Sequence, residues 1–148
     1  MVKALTVLLV SVVLSAGVAT FAQELGSPGD ENAIVKQLAA YASARNRNDA
    51  KAAALCFTDD ADYRFNTESK VTGRAGIEKL ITVADPAFRF SLEPANLRFL
   101  SNDVAIVEAD VVAGAQAPPT KMIATYVMVR RNVVEWLIGA ARIVPVTP

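Results

Sequence analysis

The sequence predicts a segregated α+β domain, with three helices at the front packed on a mainly antiparallel sheet built from the second half. Three observations carry this. Apolar residues recur at three- and four-residue spacing up to about Val83, as in Ile34, Leu38 and Tyr41, or Ile77, Leu80 and Ile81. One short alternating stretch, Asp62 to Asn66, sits among them. From Phe88 to Ile143 the spacing switches to alternation, cut by turn sequences such as Ser101-Asn102-Asp103 and Arg130-Arg131-Asn132.

Ahead of the domain stands a leader. Met1-Val2-Lys3 is a basic start, Ala4 to Ala19 is an uncharged, mostly apolar run, and Thr20-Phe21-Ala22 offers small residues at −3 and −1 before polar Gln23-Glu24. This is the layout of a cleavable secretory signal peptide over residues 1–22, with an apolar core shorter than the ~20 residues a membrane span needs. The expectation is a secreted or periplasmic protein that begins near Gln23, with an uncleaved anchor as the alternative. No cysteine lies near the cleavage region, which argues against a lipid anchor. Residues 23–29 read as a linker around Gly26-Ser27-Pro28-Gly29, and residues 30–148 as one domain.

Asp30 is placed to cap the first helix, with Glu31 in its first turn and Arg45 and Arg47 near its end, where the macrodipole favours cations. Ile34, Leu38, Tyr41, Ala42 and Arg45 fall on one face, so the buried stripe reaches Tyr41. Asn46 to Asn48 break this helix, Asp49 caps a second over Ala50 to Phe57, and Asp59-Asp60 end it. Asp62 to Asn66 alternates as a half-buried strand, Thr67 to Ser69 turns, and Val71-Thr72 returns. Thr72 is placed to cap a third helix from Arg74 to about Val83, which Asp85-Pro86 stops. Phe88 to Leu92 opens a strand that Pro94 interrupts, with Leu97 to Leu100 continuing it as an edge or bulged segment. Strands follow over Val104 to Ala113, Thr120 to Val129 and Val133 to Ile143.

Composition excludes several functions. Without the leader 126 residues remain, with 14 basic and 15 acidic side chains and no basic run. Neither nucleic acid nor, after leader cleavage, a membrane is an expected partner. Cys56 is the only cysteine, so no internal disulfide forms, and its apolar neighbours mark it as a small packed hydrophobe. Histidine is absent, which removes histidine triads, histidine acid/base chemistry and histidine metal ligands. No metal and no cofactor is expected. The acidic Asp59, Asp60 and Asp62 look like a connector rather than a cation site, and Gly73 and Gly76 form no nucleotide fingerprint.

Asn46-x-x-Asp49-Ala50 after the first helix, Leu55-Cys56-Phe57-Thr58-Asp59-Asp60-Ala61 before the first strand, Gly73-Arg74-x-Gly76-Ile77 opening the third helix and Trp136 in the last strand stand in a telling order. Together they resemble the SnoaL-like branch of the nuclear transport factor 2-like superfamily over about residues 30–144. The resemblance implies a cystatin-like cone: a strongly curved sheet wrapped on the helices, a pocket between them, and a homodimer through the sheet's outer face. That superfamily holds isomerases, cyclases, dehydratases, hydrolases and non-catalytic binding domains, so fold alone does not choose a function. Against the ketosteroid isomerase pattern, Tyr41 matches the oxyanion-hole tyrosine in its spacing to Asp49. The general-base aspartate falls on Phe65, and the second oxyanion donor near Thr125. Without that base, steroid isomerisation is disfavoured.

The candidate site residues follow from these readings. Tyr41 is either a hydroxyl donor to a ligand or a core tyrosine. Tyr63 and Phe65 share a strand face and form an apolar wall, and Trp136 closes the core or the pocket mouth. Glu108 and Asp110 share a strand face with Val104, Ile106 and Val112, opposite a face of Ala and Val alone. If the Ala/Val face is the covered one, both carboxylates point to water. In the register that the resemblance implies, they point into the pocket with Thr125 and Arg142 and form an acid/base pair. Two functions stay open: a module holding a small apolar or amphipathic ligand without turnover, or an enzyme such as a cyclase, isomerase or dehydratase using Glu108, Asp110 and Tyr41.

Overall fold

The computed structural model describes residues 25–66, 68 and 70–146. The signal-peptide reading, and two positions of the turn at 67–69, therefore lie outside the described residues. Helix α1 (Pro28–Asn46), helix α2 (Ala50–Leu55), strands β1 (Phe57–Phe65) and β2 (Val71–Thr72) and helix α3 (Arg74–Thr82) come first. Strands β3 (Arg89–Ser101), β4 (Val104–Gly114), β5 (Thr120–Arg130) and β6 (Trp136–Pro145) complete the chain. They form one six-stranded sheet in the order β2-β1-β6-β5-β4-β3. Every pairing is antiparallel except β1 with β6. The helices lie against one face of it, which is the α+β architecture expected.

The sheet's inner face is made of small and apolar residues. β4 supplies Ala105, Val107, Ala109, Val111 and Ala113, and β5 supplies Met122, Ala124, Tyr126 and Met128, all buried. Two irregularities keep the same face inward along strands whose side chains otherwise alternate. In β3 the pairing slips between Pro94 and Asn96, so Phe90 and Leu92 before the slip and Leu97 and Phe99 after it all pack inward. In β6 it slips beside Gly139, and the buried set changes from Trp136 and Ile138 to Ala141 and Ile143. A Cβ at Gly139 would stand 2.8 Å from Val129 Cγ2, so the slip needs glycine there. Pro94 therefore marks a bulge in an edge strand that runs unbroken to Ser101.

Several local boundaries differ from expectation. Ser27, not Asp30, caps α1: its hydroxyl accepts from the Asp30 amide at 3.1 Å, and Asp30 Oδ2 accepts from the Ser27 amide at 3.0 Å. Pro28 then begins the helix, where a missing N–H costs nothing. Asp49 does cap α2, accepting from the Ala52 amide at 2.9 Å. That helix stops at Leu55, because the Cys56 carbonyl accepts from Ile138 N at 2.9 Å and draws the chain into the sheet. Asp59 and Asp60 thus belong to β1. Gly73 caps α3 with φ +81° and no side-chain bond, a left-handed conformation that Thr72 would resist. Strand β6 starts only at Trp136, since Asn132 Oδ1 accepts from the Val134 and Glu135 amides and holds Val133 and Val134 in a turn.

Two polar clusters fasten α1 across the sheet. At its N-terminus Asp30 Oδ1 accepts from Trp136 Nε1 at 3.2 Å and pairs with Arg130 Nη2 at 2.8 Å. Arg130 also donates to the Asn102 and Val133 carbonyls, and its guanidinium lies 4.6 Å from the Trp136 ring centroid. At the C-terminus Asn46 Nδ2 donates to the Phe90 carbonyl and Asn46 Oδ1 accepts from the Phe90 amide, both at 2.8 Å. Asn46 thereby completes the open hydrogen-bonding edge of β3 as another strand would.

Two outcomes follow. Asn46→Ala leaves both Phe90 backbone groups unpaired at a part-buried position and should cost about 1–3 kcal/mol in urea unfolding. Arg130 bonding holds the Asp30 carboxyl down to about 2, from an ordinary value of 3.8. A lowered carboxyl contributes stability above its unfolded value and loses it as pH falls through the folded one. Asp30→Asn should therefore be less stable than wild type by about 1 kcal/mol at neutral pH. The difference should close between about pH 4 and pH 2, as read by thermal melts across an acid series.

Candidate functional site

Helix α1 presents Ile34, Leu38, Tyr41 and Arg45 to the sheet, a stripe at three- and four-residue spacing. Tyr41 is fully buried and stands at the centre of an aromatic interior. Its ring meets Phe57 at 5.2 Å and Phe90 at 5.5 Å between centroids, and Tyr126 at 6.4 Å, all edge-on. Beyond this layer a cavity of about 270 Å³ opens between α1, the end of β1 and α3 with the loop that follows it. Arg45, Tyr63, Phe65, Leu80 and Phe88 form its walls, with exposed Glu68, Val83 and Asp85 around the mouth. A wider depression of about 950 Å³ lies between α1 and the β5–β6 turn. It is shallow and reaches mainly surface groups such as Asn32, Lys36 and Glu135, so the smaller, deeper cavity is the candidate.

The polar groups of this interior are a guanidinium, which only donates, and neutral phenol hydroxyls. Arg45 is 7% exposed, the single buried charged side chain among the described residues. Its guanidinium carbon lies 4.9 Å from the Phe88 ring centroid and 5.5 Å from that of Phe90. The Tyr41 hydroxyl is 3.5 Å from that of Tyr63, a long contact for two hydroxyls. The buried Tyr126 hydroxyl has no hydrogen-bond partner among the described residues. Burial pushes the Tyr41 phenol up and those of Tyr63 and Tyr126 well up, against the lowering field of Arg45. All three stay neutral at physiological pH. An arginine and three phenols with no carboxylate among them suit an acceptor-bearing guest; they supply no general base.

Of the residues singled out in the sequence, the structure brings Tyr63 and Phe65 to the cavity wall, with Tyr41 behind them in contact with Tyr63. The expected convergence of the others does not occur. Glu108 and Asp110 are exposed on the outer face of β4, because the neighbouring Ala105, Val107, Ala109 and Val111 fill the inner one. Thr125 pairs with Glu108 and Arg142 pairs with Thr125, so both share that outer face. Arg142 lies 2.5 Å from Asp62 Oδ1 there, and the Arg142 hydrogen bond, ahead of the Lys70 charge, lowers the Asp62 carboxyl. Half-exposed Val112, Ile123 and Val144 stand among these charges. Trp136 is buried at the opposite end of α1, where it packs on Phe99, and does not line the cavity. Cys56 packs in the core, and burial pushes its thiol up to about 11. Among the described residues no three metal-ligating side chains converge.

Arg45 and Phe88 were missed as site residues. The signal for Arg45 was present: a charged residue continuing the apolar stripe of Ile34, Leu38 and Tyr41. Its place near the helix C-terminus offered a sufficient dipole explanation and hid the second role. Phe88 carried no local signal, since its position depends on how the α3–β3 loop folds back.

The fold is shared with several solved structures. One is a cystatin-like domain of unknown function from Nostoc punctiforme, with a TM-score of 0.74 at 18% identity over 83% of this chain and 81% of that one. An NTF2-like protein with a cystatin-like fold from Novosphingobium aromaticivorans gives 0.70 at 19% identity over 79% and 82%. A ketosteroid isomerase-like protein from Erwinia carotovora gives 0.68 at 17% identity over 79% and 96%. At these identities the likeness shows the fold alone. No curated protein matches the sequence. The family model described as a SnoaL-like domain matches residues 29–141, nearly all of the described chain. The chain belongs to the SnoaL-like domain family of the nuclear transport factor 2-like superfamily.

Proposed function

We propose that this SnoaL-like domain is exported and holds a small apolar or amphipathic ligand in the cavity between α1, α3 and β1, without turning it over. The observation that carries this reading is the division of the cavity into an apolar wall of Phe65, Leu80 and Phe88 and a donor-rich inner end at Arg45 and Tyr63. Few precisely placed polar groups in a mostly apolar hollow are what small-molecule sites use for orientation. Reactive chemistry has little to draw on there. The carboxylates once paired with Tyr41 in an acid/base scheme, Glu108 and Asp110, lie on the far side of the sheet. The leader-like residues 1–22 support export, and the mixed apolar and charged outer face supports pairing with a second copy.

Native mass spectrometry of protein purified from its own host should find a chain that begins near Gln23 and carries a bound small molecule. Ala84→Trp, which fills the cavity mouth, should abolish ligand retention with the fold intact by circular dichroism; Asp110→Asn should leave retention unchanged. Retention that survives Ala84→Trp would place the ligand elsewhere. Any turnover in this cavity would need Glu68 or Asp85 at its mouth as the base, so catalysis lost on Glu68→Gln or Asp85→Asn would replace the binding reading with an enzymatic one.

A further inference from the structure

We infer that the ligand is an acid: Arg45 is an anchor for a carboxylate, and the cavity takes a small, single-ring or short-chain monocarboxylate with its apolar end toward α3. This rests on the binding reading above and goes beyond it by naming the ligand's chemistry.

Among the described residues no carboxylate lies within ion-pairing distance of Arg45, and none accepts a hydrogen bond from its guanidinium, although every other arginine that reaches into the fold does find acceptors: Arg74 at Asp59 and the Phe57 carbonyl, Arg130 at Asp30, Arg142 at Asp62. A guanidinium stays charged in proteins, and burying one without a partner is costly. Two structural features offset part of that cost. The Phe88 and Phe90 rings lie within cation–π range of the guanidinium, and Arg45 sits in the last turn of α1, where the helix dipole favours a cation. Aromatic rings make no hydrogen bond in the guanidinium plane, so its N–H groups remain for an acceptor. The matching acceptor is a carboxylate, which takes two parallel N–H bonds. Tyr63, on the same cavity wall, adds a neutral hydroxyl whose existing contact to Tyr41 is long enough to be exchanged for a better one.

The carboxylates nearest the cavity, Glu68 and Asp85, are exposed at its mouth. Asp85 Oδ1 accepts from the Ala87 amide at 2.8 Å. They leave the inner end free for an incoming anion, and by repelling it at the mouth they favour a ligand bearing one charge rather than several. A volume of about 270 Å³ lies at the small end for ligand sites, which limits the guest to one ring or a short chain.

The test uses cinnamate and its neutral isostere cinnamamide, titrated calorimetrically into the full mature chain. Wild type should bind the acid at least tenfold more tightly than the amide. Arg45→Met, which keeps length and packing but removes the charge, should bind both alike. Arg45→Lys should keep part of the preference, because an ammonium holds the charge without the two-point fork. Melting temperature supplies a second readout: cinnamate should raise it more than cinnamamide does in wild type, and both should raise it equally in Arg45→Met. Equal affinity for acid and amide in wild type, or an acid preference that survives Arg45→Met, overturns the anchor. If wild type takes up neutral apolar ligands and ignores the acid, the anchor falls and the binding reading stands. If no ligand of any charge binds in a manner that Ala84→Trp blocks, the binding reading falls with it.

Discussion

Everything in this molecule depends on holding one helix across the inner face of a curved sheet. α1 is fastened at both ends by side chains that replace missing backbone or charge partners: Asp30 with Arg130 and Trp136 at one end, Asn46 with the Phe90 backbone at the other. Between these points the helix contributes mainly side-chain packing, with long hydrogen bonds from Gln37 to the Cys56 carbonyl and from Tyr41 to Tyr63. Small residues, Ala105, Ala109, Ala113, Ala124 and Ala141, are buried on the sheet's inner face. Fixing both ends determines which turn of α1 meets the aromatic interior and which meets the cavity.

The bulges in β3 and β6 do related work. A regular strand would turn its inward set outward after an odd number of intervening residues. One extra residue near Pro94 and another at Gly139 restore it, and each adds a bend. That curvature makes room for Tyr41, Tyr63 and Tyr126 over a single sheet. Regular alternation along β4 and β5 sorts the polar groups. Glu108, Asp110, Thr125 and Arg142 are carried to the outer face, where cross-strand neighbours and solvent accommodate them at small energetic consequence.

The cavity wall and the aromatic layer behind it show the opposite economy. Arg45 and the Tyr126 hydroxyl find no partner among the described residues, and such groups are destabilising in a core, an orphaned hydroxyl by about 1–3 kcal/mol. A domain with ample apolar burial can carry such groups, and stability given up at one location is a common mark of a place where something binds. The donor surplus gives the site its chemical character, since phenols and a guanidinium recognise acceptors and do not abstract protons.

Much of this was legible in the chain. Periodicity alone separated the helical front from the alternating rear, because spacings of 3.6 and 2 follow from backbone geometry that holds in any surroundings. The same alternation puts Tyr63 and Phe65 on a shared strand face, and it offered the Ala/Val face of β4 as one of two candidates for the covered side. The register that the resemblance implies turns Glu108 and Asp110 inward, and the structure follows the local pattern instead and puts them outside. The extension of β1 back to Phe57, the closing of the β3 edge by Asn46 and the site roles of Arg45 and Phe88 were decided by tertiary structure. Each depends on which residues distant in sequence meet: Cys56 with Ile138, Asn46 with Phe90, Arg45 with Phe88. A chain encodes its periods locally, but whether a buried arginine finds a carboxylate is settled only when the elements close around it.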